Sequence, residues 1–266
     1  MNPFQKLCFV KCLSNAFICT SILFWAVPLS AVSLRTEHVW RSLNMGIAEV
    51  VASGAYLFGP LIQVCMATYR AFMLFCPFWR LKFEKYPSTN LAIFLCLLIS
   101  IYHTVTGMEG HCALVYHPET FAFSPELSSC ADSMDGGLFI VIIIITAPAI
   151  ILDFIAAIKL IYDKVHGISK SQRTRRRNKS LAMFTQNVIQ DALHFIDMIN
   201  FSVIYKLYDV EWFQFLFHSL SYALIYALDG LVMLHFHVYS QRREGRKKLR
   251  MCTVAAAAVV SSRQLP

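Results

Sequence analysis

Long runs of apolar residues, separated by short polar segments, dominate the chain. Six such runs extend over about 8–32, 46–75, 88–106, 136–162, 181–205 and 213–239, and we refer to them as spans A to F. A helix needs roughly 20 mostly apolar residues to cross the hydrocarbon layer, because each residue advances it by about 1.5 Å and the layer is about 30 Å thick. The pattern therefore predicts an all-α, polytopic transmembrane helix bundle.

The composition agrees with this prediction. Hydrophobic residues make up 57% of the chain and charged residues only 15%, whereas soluble domains are roughly 45–50% apolar. We expect a transmembrane domain over residues 1–239, followed by a basic tail over 240–266. A cleaved signal peptide is the alternative for span A, because Lys6 and Lys11 precede an apolar run that ends in small residues. The run is long for such a peptide.

Basic residues are concentrated in three segments. Most of the 24 Lys and Arg lie between spans B and C, between spans D and E, and in the tail. Short loops rich in Lys and Arg stay in the cytosol, so a bundle of six spans has both termini and all three segments on the cytosolic side. This orientation accounts for the formal charge of +8 without a nucleic-acid partner.

The loop between spans C and D contains two cysteines, Cys112 and Cys130. They are the only cysteines well inside a segment that is predicted to face the oxidising side of the membrane. We expect them to form a disulfide, and two free thiols are the alternative. The segment between them is aromatic and acidic, with Tyr116, Glu119 and Phe123 among its residues, and a disulfide would hold it as a lid over the bundle.

Ionisable side chains inside apolar spans are costly, so each needs a partner or a wet cavity. Arg70, at the end of span B, either reaches inward to another helix or extends to the interface. Asp229 in span F is expected to find a polar partner on a neighbouring helix. Asp153 and Glu49 lie nearer the ends of their spans, and we expect them at the membrane interface.

A row of polar residues follows one side of span E. Its members are Gln186, Asn187, Gln190, Asp191, His194 and Asp197. Steps of three and four residues place them along one face of a helix, and that face must turn toward the bundle interior. The row binds a ligand, moves during signalling, or holds helices together through hydrogen bonds, and the sequence leaves these alternatives open.

The sequence shows no pattern typical of an enzyme or a metal site. The nine histidines form no repeated close clusters, and the chain lacks a phosphate-binding loop, a GxSxG elbow and paired CxxC motifs. We therefore expect no enzymatic activity, no metal and no cofactor. A polytopic transporter would explain the intramembrane aspartates, but the two halves lack the matching pair of interrupted spans that such folds often show.

Several short motifs are spread from span B to span F. They are Tyr69-Arg70 seven residues before Pro77, the stretch Trp79 to Phe83, the Cys112 to Cys130 loop, Phe184 with Gln186, Gln190 and Asp191, Trp212 with Phe215, and Leu228-Asp229-Gly230. Together they resemble the nematode serpentine receptor class x (Srx) family of chemoreceptors, which belongs to the rhodopsin-like seven-transmembrane G-protein-coupled receptors.

The resemblance implies a chemosensory receptor that detects an extracellular small molecule or peptide and signals to a heterotrimeric G protein, in the plasma membrane or a sensory cilium. Arg70, with Tyr69 and Pro77, corresponds to the family's switch motif at the inner end of its third helix. Spans A to F then match helices two to seven, and the first helix is missing. An incomplete gene model or a nonfunctional truncated copy is the alternative.

Overall fold

The structure is a computed structural model. It describes residues 3–31, 40–76, 88–109, 112–119, 121–125, 128–165, 170–204, 207–208 and 210–236. Within the helices, the side chains at 109, 128–129, 131–136, 138–139, 160, 163–183, 201–202 and 211 are not described. Pro77 and the basic tail at 240–266 therefore lie outside the described residues.

Six long helices make up most of the described chain. Helix α1 extends over Pro3–Ala31, α2 over Arg41–Phe75, α3 over Ser88–Glu109, α4 over Ser128–Val165, α5 over Lys170–Ser202 and α6 over residues 211–236. They correspond in order to spans A to F, and the predicted all-α helix bundle is confirmed. Several helices extend beyond the predicted apolar runs, because polar residues at their ends continue the helical backbone.

Five of these helices are long and apolar enough to cross a membrane in the part of the chain that the structure describes, namely α1, α2, α3, α4 and α6. Helix α5 is not among these five, because the polar row from Gln186 to Asp197 lowers its mean hydropathy. Its neighbours still present apolar side chains to the outside, since Phe24, Ile144 and Phe154 are exposed. Such a surface suits a lipid environment.

Helix α2 forms the centre of the bundle. In its most apolar segment 67% of the residues are buried, whereas the share is 11–22% in the other four candidate spans. One cluster packs Phe4 and Leu7 of α1 against Ile62 and Met66 of α2. A second cluster joins α1, α2, α4 and α6 around Tyr226. Burial of these side chains fixes the positions of the helices that carry polar groups.

A β-hairpin lies between α3 and α4. Strand β1, Leu114–His117, pairs antiparallel with β2, Ala122–Pro125, so that Tyr116 faces Phe123 across the pair. Cys112 and Cys130 lie at disulfide distance, with their Cα atoms 5.5 Å apart, and they connect the start of the hairpin to α4. The strands were not predicted from the sequence, because two four-residue strands are too short to show a clear alternation.

Side chains of α2 hold β1 in place. The carboxylate of Glu49 accepts a 2.8 Å hydrogen bond from the backbone N–H of Leu114. Asn44 makes two bonds to the backbone of Tyr116, accepting from its N–H at 3.2 Å and donating to its C=O at 2.9 Å. The outer edge of β1 is thereby satisfied by the bundle, as an unpaired strand edge requires.

Two predicted positions are wrong. Glu49 and Asp153 were expected at the membrane interface, but both are buried inside the bundle. Each is compensated there, Glu49 by the backbone of Leu114 and Asp153 by the guanidinium of Arg70. These partners reduce the cost that would otherwise drive a carboxylate to the interface.

Candidate functional site

A cavity of about 490 Å³ lies between the β-hairpin and helices α1, α2, α5 and α6. We call it the hairpin cavity. Its volume falls within the range of roughly 300–1,000 Å³ that is typical of small-molecule sites. Three π-helical segments occur in the described parts of the long helices, and each contributes residues to the cavity wall; they are Ile22–Ala26, Glu49–Ala55 and Phe215–Leu220. Such segments often occur at functional sites, because the extra residue per turn redirects side chains.

Aromatic rings form much of the wall. Tyr56 of α2 and Tyr222 of α6 lie with their ring centroids 5.8 Å apart. On the hairpin side, the rings of Tyr116 and Phe123 are 5.0 Å apart. Because aromatic side chains combine a large apolar area with few rotatable bonds, the wall is rigid and apolar.

Phe121 connects the hairpin to α6. Its backbone has a φ of 55°, a left-handed conformation that is uncommon for a bulky residue. The hydroxyl of Ser219 donates a hydrogen bond to the Phe121 carbonyl, and the Phe121 ring packs edge-on against Phe215 at 5.1 Å. These contacts offset the backbone strain and hold the hairpin against α6.

Tyr116 connects the hairpin to α1. Its hydroxyl and that of Ser30 share a 2.6 Å hydrogen bond. Burial raises the pKa of the Tyr116 phenol, and the bond to Ser30 opposes this only in part. The phenol therefore stays protonated at neutral pH, and the hydrogen bond persists there. The hairpin is thus fixed to α1, α2 and α6 as well as to α4.

Asp197 is the only carboxylate among the described residues that line the hairpin cavity. Only 4% of its surface is exposed, and the hydroxyl of Tyr56 donates a hydrogen bond to it. No Lys or Arg lines the cavity in the described ranges. His218 also belongs to the wall, with its Nδ1 3.5 Å from the hydroxyl of Ser219.

A buried polar network lies farther along the same helices. It is centred on Asp229 of α6, whose carboxylate lies 3.3 Å from the Lys11 ammonium, and neither side chain is exposed. Asn15 and Gln190 each donate a 2.6 Å hydrogen bond to the same carboxylate. The Nε2 atom of His194 lies 3.8 Å away. Four groups from α1 and α5 therefore meet at one carboxylate of α6.

The network continues through Gln63 of α2. Its carbonyl accepts a 2.6 Å hydrogen bond from Lys11, and its amide donates a 2.8 Å bond to Asp191. A second ion pair joins α2 to α4, where Arg70 contacts both oxygens of Asp153 at 2.7 and 3.0 Å. We call the set the polar network; its members are Lys11, Asn15, Gln63, Arg70, Asp153, Asn187, Gln190, Asp191, His194 and Asp229.

The family model described as the serpentine type 7TM GPCR chemoreceptor Srx matches residues 1–237. The chain belongs to the Srx family. The match covers all six helices and the hairpin, so this is a multi-pass membrane protein of a chemoreceptor family and not of an enzyme class. No curated protein matches the chain.

The Srx chain brings together most of the residues that were singled out in its sequence. Gln186, Gln190 and Asp229 form one chain of contacts, since Gln186 donates to Gln190 at 3.4 Å and Gln190 donates to Asp229. Asp191 lies one step away, bonded to Gln63. Asp197 lies apart from them in the hairpin cavity. The row on α5 is therefore divided between two sites.

The predicted switch residues occupy different surroundings. Arg70 points inward and is only 9% exposed, so it does not extend to the interface. Tyr69 stacks on Phe4 of α1 with ring centroids 6.2 Å apart. Pro77 lies outside the described residues. The described part of the chain contains no group of three or more His, Cys, Asp or Glu that could hold a metal.

Three members of the polar network were not identified in the sequence as site residues: Lys11, Asn15 and Gln63. A signal existed, because each is a charged or amide residue inside an otherwise apolar run, where an unpaired polar group is costly. Lys11 lies inside span A, but it was considered only in the signal-peptide alternative, as a charge that precedes the apolar run. Its complete burial beside Asp229 places it in the interior of the bundle.

Proposed function

We propose that this Srx protein is a G-protein-coupled chemosensory receptor that detects an extracellular small molecule or peptide in the hairpin cavity. The observation that carries the proposal is the cavity of about 490 Å³ beneath a disulfide-linked hairpin. Its wall is largely aromatic with one carboxyl group, which suits a site that binds by apolar contact and selects by a few polar groups.

The described residues that line the cavity come from α1, α2, α5, α6 and the hairpin. Helix α1 contributes Ile22 and Ser30 to this wall. The hairpin would cover the bound ligand, because Phe121 and Phe123 lie between the cavity and the hairpin backbone.

The opposite end of the bundle would receive the G protein. We propose that the basic segments and both termini face the cytosol, that the transmembrane domain covers 1–239, and that 240–266 forms a cytosolic tail. The protein would act in the plasma membrane or a sensory cilium. Arg70 then lies near the cytosolic end of α2, where its bond to Asp153 holds α2 against α4.

Helices α5 and α6 contact both sites, and we propose that they couple them. The Tyr222 ring lines the cavity and lies 4.9 Å from that of Tyr226. The Tyr226 ring in turn lies 5.8 Å from His194, which reaches Asp229 in the polar network. A ligand that favours one arrangement of these rings would shift the population of the bundle, and a G protein that prefers the same arrangement would be bound more tightly.

The test combines binding with nucleotide exchange. Compounds and short peptides that raise the unfolding temperature of the purified protein would be added to receptor and heterotrimeric G protein in the same vesicles. We expect bound compounds to stimulate GTP uptake by the G protein. Arg70→Ala should abolish that stimulation in the protein that still folds and binds compounds, because the arginine that would contact the G protein is removed.

Arg70→Ala also leaves Asp153 without its cation, so a matched variant is needed. In Arg70→Met/Asp153→Asn, both charges are replaced, and the buried pair no longer contains an uncompensated carboxylate. Stimulation should be absent there too. The proposal is contradicted if compounds bind but never stimulate exchange, or if either folded variant responds like the unmodified receptor.

A further inference from the structure

The hairpin cavity contains a carboxyl group without a basic partner among the described residues. Asp197 is 4% exposed and lies in a wall that has no Lys or Arg in the described ranges. The carboxylates of Asp153 and Asp229 are equally buried, but each meets a cation, at 2.7 Å from Arg70 and 3.3 Å from Lys11. Asp197 differs from them in this one respect.

A buried carboxylate of this kind is costly unless something neutralises it. Removing a carboxylate from water costs several kcal/mol even after relaxation, and one neutral hydrogen bond repays only part of this. Tyr56 supplies such a bond. Asp197 lines the cavity, so a cation that enters the cavity would supply what Lys11 and Arg70 supply to the other two aspartates.

The rings beside Asp197 suit the same kind of ligand. Tyr56 and Tyr222 both lie close enough to interact with its charge, and their centroids are 5.8 Å apart. An ammonium group is attracted to the face of an aromatic ring, most strongly where water is excluded. Farther from the carboxyl group, the wall is apolar and includes Ile22, Phe123 and Phe215.

We propose that the hairpin cavity binds a small organic amine, with its protonated nitrogen on Asp197 beside Tyr56 and Tyr222 and its apolar body against Ile22, Phe123 and Phe215. The inference rests on the proposed function only in taking this cavity as the ligand site. Asp197 would be the residue that selects amines over neutral molecules of the same shape, because only the protonated amine adds the attraction of opposite charges to its hydrogen bond with the carboxylate.

The test uses three probes with one carbon skeleton: phenethylamine, phenethyl alcohol and ethylbenzene. Their affinities for the full chain in lipid nanodiscs would be measured by titration calorimetry at neutral pH. We expect the amine to bind about tenfold or more tightly than either neutral probe, the ratio that a charge-assisted hydrogen bond of about 1.5 kcal/mol gives. Asp197→Asn should remove that advantage and leave the affinity for the alcohol unchanged.

Glu119→Gln is the matched control, because it removes a carboxylate from the exposed turn of the hairpin, outside the cavity wall. Glu119→Gln should keep the preference for the amine. If surface charge attracted cations in general, this variant would reduce that preference instead. The proposal is overturned if the unmodified chain binds the alcohol as tightly as the amine, or binds no amine, and neither result depends on how a variant folds. It is also overturned if folded Asp197→Asn keeps the preference.

The result is separable from the test of the proposed function. If a neutral compound stimulates nucleotide exchange and the amine does not bind, the receptor assignment stands and the amine assignment fails. If the amine binds through Asp197 and no ligand stimulates exchange, the site is correct and the coupling to a G protein is wrong.

Discussion

The hairpin cavity and the polar network are both buried, but the carboxyl groups in the two sites have different partners. In the polar network the carboxylates of Asp153 and Asp229 each meet a cation and at least one side-chain amide. In the hairpin cavity the carboxyl group of Asp197 meets a tyrosine hydroxyl, and no Lys or Arg lines the cavity in the described ranges. The two sites share helices α5 and α6, so the difference arises from the residues opposite them.

The comparison separates two roles for buried polar groups in a membrane protein. A carboxylate that already bonds a cation and amides has few free lone pairs for a ligand. Removing its cation leaves the carboxylate buried without compensation, which is costly. A carboxylate in a cavity without a cation is costly in the empty protein and therefore favours an occupant. We expect substitutions in the polar network to change stability and substitutions in the hairpin cavity to change binding.

The largest effect is expected from separating the Lys11–Asp229 pair. Lys11→Met leaves the Asp229 carboxylate buried without its cation, which should lower the free energy of unfolding by about 3–5 kcal/mol. Denaturant unfolding of the purified protein in detergent would measure it. The double variant Lys11→Met/Asp229→Leu removes both charges and should recover much of the loss, because no uncompensated charge remains.

The double variant is also the control for lost packing. Both proteins lack the lysine side chain, so a loss that comes from packing alone would persist when Asp229 is also replaced. The interpretation is contradicted if Lys11→Met is as stable as the unmodified protein. It is also contradicted if the double variant is no more stable than Lys11→Met, because the pair would then not be the centre of a charge-compensated site.

A smaller effect is expected where the hairpin is joined to α4. Replacing Cys112 and Cys130 by serine removes a crosslink over a separation of 18 residues, which is worth about 3 kcal/mol in the chain-entropy account. The loss should appear in denaturant unfolding and weaken binding in the hairpin cavity, because the hairpin forms part of its wall. Reductant should have the same effect on the unmodified protein.

Cys65→Ser provides the comparison for this change, since the Cys65 thiol faces that of Cys96 at 3.6 Å without a covalent bond. It should leave the response to reductant unchanged. If reductant affects neither stability nor binding in the unmodified protein, the hydrogen bonds from Asn44 and Glu49 hold the hairpin without help from the disulfide.

The helices could be predicted from the sequence because each depends on a local property. An apolar run of sufficient length must be helical in a bilayer, where every backbone polar group needs a partner within the segment. The inward face of α5 followed from the spacing of Gln186, Gln190 and Asp197 in the same way. Both predictions concern one element at a time.

Partners between elements could not be predicted, because nothing local specifies them. Lys11 and Asp229 lie at opposite ends of the chain, and only the packing of α1 against α6 brings them together. Asp153 was assigned to the interface because the sequence shows how near it lies to the end of span D. The sequence does not show its bond to Arg70. The division of the α5 row between two sites likewise depends on the helices that face it.

The most direct test compares two matched substitutions, Asp229→Asn and Asp197→Asn, by unfolding of the ligand-free protein under identical conditions. Each replaces a buried carboxylate by an amide of nearly the same shape. The account predicts a loss of about 3 kcal/mol or more for Asp229→Asn, because Lys11 loses its counter-ion, and a change within about 1 kcal/mol, or a gain, for Asp197→Asn. Equal losses, or a greater loss for Asp197→Asn, would contradict the distinction between a compensated network and an open cavity.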